Sequence, residues 1–520
     1  MKTPNQLETI CKISRHHEIL VTLLVLAFET VMIGSSRAGS ATWKTIPVDN
    51  NWNNPLNWTP ETVPMSEGDV ATFGASSITD ITTSSYLAVG SIVFEADASE
   101  FTITPATDNL EIYSPGIVNN SGVLQTFVAA VDDQDKAHAI PFIGFATAGT
   151  NTMFITQARR SNAGDAGDVE FDGYDASPSA GTATIINEGG ETDGSIGGYT
   201  RFFGFATAAD ATIICNGGTT TGAGGGAIEF LGPISHGGNA TLIANAGSNG
   251  GGGGQIIFYA GSTGDTARVE VFGNGSLSFA VVYNDASVGS LEGDGLVLLG
   301  ERTFTIGGNN VSTAFSGLIQ DGAVGRGPFT KIGTGVFTLS GANTYTKNTI
   351  VSAGTLLVTN TSGSATGTGP VMVNSGTLGG SGIIAGPVTI GTGSGTGAFL
   401  APAAGGKKQL TLTIQSALTF KADATYTYTF KAKQNKARTD KVIANGVTIN
   451  GGAMVNLSGQ TQGSLKQGLT LTLISNTSAN PISGTFSNLP DGAIVTVNGN
   501  NLQASYEGGD GNDLTLTVVP

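Results

Sequence analysis

The sequence predicts an all-β chain wound into a solenoid, a stack of coils made of short strands and tight turns. Three observations carry this. From Thr330 to Val358 short apolar runs alternate with Gly/Asn/Ser corners, and no run there is long enough to be a helix. The 520 residues include 78 Gly, and only 12% are charged while 39% are hydrophobic. Two strand series recur at one shared period in residues 150–275. Glycine is enriched without a strict three-residue period, which excludes collagen. The apolar fraction is too high, and the charge too low, for disorder.

The charge balance narrows the class of partner. A formal net charge of −16 disfavours nucleic acid, because phosphate binding needs a basic surface. The two cysteines, Cys11 and Cys215, make neither a disulfide framework nor a CxxC metal site. Stability is therefore expected from stacking. Stacking also explains the low charge, since equivalent residues of successive coils become neighbours and like charges there repel.

The first 38 residues read as a signal peptide. Lys2, Lys12 and Arg15, with His16 and His17, form a positive start. The apolar run Ile19 to Ile33 follows, and Ser36-Arg37-Ala38 places small residues around a cleavage point. The alternative is a membrane anchor, but the run falls short of the roughly 20 residues that a spanning helix needs. Glu29 within it would be costly in lipid. After cleavage no transmembrane anchor is expected.

Residues 39–140 are expected to form an N-terminal cap and the first coils. All three tryptophans, Trp43, Trp52 and Trp58, fall here. Aromatic faces suit sugars, so a sugar-stacking platform is one reading. The other, which we favour, is a cover for the open end of the solenoid. Strands are expected at Ser91–Phe94, Phe101–Ile103, Leu110–Tyr113 and Val123–Phe127, with a corner at Gly116 to Gly122.

Residues 141–300 hold a Gly-rich repeat of about 28 residues, a period that marks one repeated supersecondary unit. One series begins at Thr184 (TIIN), Thr212 (TIIC), Thr241 (TLIA) and Arg268 (RVEV). The second ends in Phe171 (DVEF), Phe203 (TRFF), Phe230 (AIEF) and Phe258 (QIIF). Ile185, Ile213 and Leu242 should then stack one per coil, about 4.8 Å apart. Cys215 aligns with Asn187 and Ala244 and reads as a small stacking residue instead of a reactive thiol.

Residues 301–400 contain KxGxGxxTLSGxNTYT from Lys331 to Thr346, then TxVSAGTLLV from Thr349 to Val358. This resembles the autotransporter-associated β-strand repeat of secreted bacterial passenger proteins. The resemblance implies a parallel β-helix and an exported or cell-surface address, and it names no chemistry. Val351 to Leu356 recurs as Val373 to Leu378, a spacing that suits one coil. The fold class expected is thus a right-handed parallel β-helix, or β-solenoid, with a capping N-terminal segment and a longer-stranded C-terminal end. The resemblance would also imply a translocator barrel of amphipathic strands. None is read in residues 402–520, so separate export machinery or release is expected.

Residues 401–520 read as a C-terminal β region and cap with longer strands. Eight of the 23 Lys+Arg lie between Lys407 and Lys441. Contact with an acidic polysaccharide or a cell-envelope glycan is one reading. Lysine protecting an exposed sheet edge is the other, and the one preferred.

The densest candidate for chemistry is GDAGDVEFDGYD. In a strand, Asp168, Glu170 and Asp172 share one face. Such a face could bind calcium, or supply the acid and base of a β-helix polysaccharide lyase or hydrolase. The aligned strands TRFF, AIEF and QIIF do not extend the acidic patch, which favours a solvated face. The stretch Gly508 to Leu514 resembles a single calcium nonapeptide with Thr515 at the apolar position; the close of a passenger-type repeat is the preferred account. Only His138 and His236 lie beyond the leader, and no GxSxG, HExxH or P-loop occurs. The expectation is a secreted, extracellular or cell-surface structural or adhesive protein with no catalytic residue, metal or cofactor. The polysaccharide-degrading enzyme using Asp168, Glu170 or Asp172 is the alternative.

Overall fold

The computed structural model describes residues 39–520 except 162, 163, 283, 324, 405 and 407. Residues 39–520 form one compact unit. The expected signal peptide lies outside the described residues. The unit is all-β, with one short 3₁₀ turn at Pro55–Asn57 among the described residues.

Strands run in parallel ladders, each pairing with its equivalent one coil later. A thirteen-stranded sheet runs from the N-terminal segment to Leu318–Asp321, an eight-stranded sheet from Ala286–Val288 to Val447–Ile449, and a seven-stranded sheet closes the C-terminal end. A further ladder passes through Thr152–Thr156, Thr184–Asn187, Thr212–Cys215, Thr241–Ala244 and Arg268–Val271. This is a parallel β-helix, as expected. The reason is visible in each four-residue strand. TIIN, TIIC and TLIA all alternate half-buried with buried positions, so one face of every strand turns inward. Ile185, Ile213, Leu242 and Val269 meet in register and are fully buried.

Aromatic rings form the interior spine. Phe142, Phe171, Phe202, Phe230, Phe258 and Phe279 stack with centroids 4.6–5.5 Å apart and planes 4–12° from parallel. Here the expected register is corrected by one residue. Phe202 pairs with Phe171 and Phe230, whereas Phe203 pairs with Asp172 and Leu231 on the outer face. A strand has period two, so a shift of one residue exchanges the buried and solvent faces. Both residues being phenylalanine concealed the choice.

Coil corners are bonded to one another as well. Thr147, Ser179, Thr207, His236 and Thr263 form a line of single parallel bridges. The glycine loops stack backbone on backbone; a Cβ at Gly225 would come within 2.2 Å of the Gly253 carbonyl oxygen, so only glycine fits. The expected corner at Gly116 to Gly122 is also corrected. Leu110–Asn119 is one strand, and Gly116 to Asn119 pair with Ser91 to Phe94, so the turn falls after Asn119.

The N-terminal end is closed by the three tryptophans. Trp52 and Trp58 are fully buried and Trp43 nearly so, with Trp43–Trp58 and Trp52–Trp58 centroids both 5.1 Å apart. Every indole N–H has an acceptor: Ile78 O for Trp43, Pro64 O for Trp52 and Trp52 O for Trp58. The sugar platform is corrected, because no ring face is open; the burial is what a covering role for these rings needs. At the other end the pairing turns antiparallel through Thr470–Asn476, Asp513–Val519, Asn500–Gly508 and Ile494–Val497.

Candidate functional site

The acidic strand Asp168–Gly173 lies in the thirteen-stranded sheet with Tyr199–Gly204 and Ala227–Leu231 on successive coils. Glu170, Arg201 and Glu229 occupy one register position on the outer face. The corrected register therefore brings in a third carboxylate from another coil, together with an arginine that bridges the group. Arg201 donates through Nη1 to Asp168 at 2.5 Å and through Nε to Glu229 at 3.1 Å, with Glu170 at 3.8 Å. Its guanidinium also lies 4.3 Å from the centre of the Tyr199 ring.

Asp168 is buried, and burial raises its carboxyl well above the usual range; the Glu170 charge adds to this and Arg201 opposes it. Its Oδ1 has no hydrogen-bond partner among the described residues. Asp172 stands apart, accepting from the Tyr174 backbone N–H at 3.3 Å. The sequence-predicted trio is thus divided. Asp168 and Glu170 belong to an arginine-centred ion cluster and Asp172 to a turn. Glu270 and Glu292, also in register, are bridged by Arg268 in the same way. Charged ladders are tolerated in this solenoid where an arginine lies between the carboxylates.

The GGDGND stretch is a turn between antiparallel strands, not a coil of a calcium roll. The Asp513 carboxylate accepts from the Asn476 N–H at 2.8 Å, and the Asn512 amide donates to Ser478 O. Among the described residues, no group of three or more His, Cys, Asp and Glu is arranged to hold a metal ion. Cys215 is buried between Asn187 and Ala244, as aligned, and burial pushes its thiol up to about 12. His138 is buried, with Nε2 3.6 Å from Asp132, and burial lowers its pKa. His236 sits in the corner ladder, 3.0 Å from Asp265.

Sequence reasoning missed two features. The first is Lys331, the lysine of the KxGxG motif. It is 1% exposed, faces inward between Ile306 and Val351, and donates to the carbonyls of Ile332 and Gly333. Burial lowers its pKa to about 8. A Cβ at Gly354, where φ is +64°, would lie 3.0 Å from its Nζ, so the motif glycine leaves room for the ammonium group.

The second is the hairpin of Ala424–Lys433 and Lys436–Thr439. Lys433 faces Lys436 and Lys431 faces Arg438. The near-palindrome KAK-QN-KAR, cation and alanine alternating about a two-residue turn, is a hairpin signal legible in the sequence. On its other side the longer strand pairs in parallel with Met454–Gln462.

These geometries define a parallel β-solenoid repeat protein whose polar clusters largely serve its own stacking. Within it, the family model described as the passenger-associated-transport-repeat matches residues 329–358, so the chain carries a repeat of that family. Comparison with curated proteins returned no match. No described helix is long and apolar enough to cross a membrane.

Proposed function

We propose that the chain is an exported, non-enzymatic structural or adhesive module of passenger type, acting at the cell surface or in the extracellular matrix. The observation that carries this reading is the use of its charged groups. Asp168, Glu170 and Glu229 converge on Arg201, which holds the group closed as part of the coil stack. A glycosidase pair needs two carboxyl groups facing an open substrate path; Asp168 is buried. The passenger-type repeat at residues 329–358 supports export.

Two measurements test it. Purified protein incubated with a panel of acidic and neutral polysaccharides should release no product; turnover abolished by Asp172→Asn would overturn the non-enzymatic half. Fractionated cultures should hold the protein in the medium or outer envelope, and retention in the cytoplasm would overturn the address.

A further inference from the structure

We propose that the hairpin of Ala424–Lys433 and Lys436–Thr439, with the strand Met454–Gln462 beside it, is a binding face for an acidic polysaccharide. The register sets side chains in two rows across three strands: Arg438, Lys431, Gln460 and Lys436, Lys433, Gln462. All six are exposed, and with Asn435 they line a groove of about 820 Å³. Alternation turns Ala432 and Ala437 the other way, toward the core. Cations two apart on one strand are spaced by roughly 6.8 Å. Directly opposed residues on paired strands bring their Cβ atoms within about 5 Å.

Like charges directly opposed across a sheet destabilise it. Elsewhere in the coils such repulsion is relieved by an interposed ion of opposite sign, as Arg201 and Arg268 show. Here it is not. Among the described residues, no carboxylate lies within 4.0 Å of Lys433, Lys436 or Arg438, although the chain has 39 acidic residues against 23 basic ones. Edge protection accounts for Lys436 and Arg438, which sit on the outermost strand. It does not account for Lys433, whose strand is paired on both sides. The Lys433 and Lys436 cations are therefore arranged for something that arrives from outside.

The chemistry favours a carboxylated sugar polymer. An open cationic face suits an extended chain bearing charges at short regular intervals, and the Gln460 and Gln462 amides suit hydroxyl groups. Nucleic acid fits less well. Tyr428 and Phe430 point into the core, and no aromatic ring lines the groove on which bases could stack. The proposal rests on the adhesive half of the function above and gives it a ligand class. Binding by purified protein does not depend on where a cell sends it, so the two readings fail separately.

The test titrates the full chain with polygalacturonate, dextran and duplex DNA at low and physiological salt. Polygalacturonate should bind and weaken as salt screens the contact, while dextran should not bind. The double variant Lys433→Gln/Lys436→Gln should bind polygalacturonate about tenfold more weakly or worse. Lys136→Gln/Lys347→Gln, which removes the same charge from exposed positions elsewhere, should leave binding unchanged. Lys433→Arg/Lys436→Arg should retain binding and guards against misfolding of the glutamine variant. Absence of polygalacturonate binding, equal losses in both glutamine variants, or equally tight binding of DNA would each overturn the proposal.

Discussion

Phe202 stacks on Phe171 with ring centroids 4.8 Å apart and planes 5° from parallel, while its neighbour Phe203 turns outward toward Tyr174, 6.1 Å away. Adjacent residues of one type thus have opposite roles. Phe202→Ala opens a cavity in the aromatic spine and should destabilise by about 3–5 kcal/mol. Phe203→Ala loses a half-buried surface contact and should lose about 1 kcal/mol. Urea titrations of the two variants decide the register; similar losses would contradict it.

Arg201 is expected to be the keystone of the ion cluster. Arg201→Gln leaves Asp168, Glu170 and Glu229 facing one another, at a loss of about 1–3 kcal/mol, since the arginine is partly open to solvent. The loss should shrink on acidification, because protonation removes the repulsion. The sign follows for Asp168, whose folded-state pKa lies above its ordinary value of 3.8. Its proton contributes stability below that value, and the contribution disappears as pH rises through the raised pKa. Melting curves at pH 7 and pH 4 check this; an equal Arg201→Gln loss at both would exclude it.

Lys331 should give the solenoid an alkaline dependence. Its folded pKa of about 8 lies below the ordinary lysine value of 10.5, so the folded state releases the proton first. Its contribution to stability is greatest above 10.5 and is lost as pH falls toward about 8. Relative to Lys331→Met, the native chain should gain at most about 1.4 kcal/mol per pH unit across that window. A stability difference independent of pH between 7 and 10.5 would show that the ammonium is not buried.

The tryptophan cap is testable by light. Trp43, Trp52 and Trp58 are buried with satisfied N–H groups, so emission should be blue-shifted, resist iodide quenching and ignore added sugars. Trp52→Ala should destabilise by about 3–5 kcal/mol and open the first coils before the rest. Strong quenching in the native chain would refute the cap.

Much of the fold was legible because stacking repeats its demands. Thr184, Thr212, Thr241 and Arg268 are in register as their spacing implied, and Val351 pairs with Val373 one coil later. The site was less legible. Asp168, Glu170 and Asp172 could be placed on one strand face, but Arg201 lies one coil further along the stack and Glu229 two. With Phe203 aligned in place of Phe202, their contact was out of sight.

The sequence by itself determined the class of architecture: four-residue apolar alternation, glycine corners and a recurring period admit a stacked β-coil and little else. It also determined the tight turn of KAK-QN-KAR, although its meaning was hidden. Only the tertiary structure decided which charges meet. Between coils, contact depends on register, and a register shift of one residue turns a side chain from core to solvent. So the carboxylates around Arg201 are joined, the ammonium of Lys331 is enclosed, and the cations of Lys433 and Lys436 face outward without a carboxylate beside them.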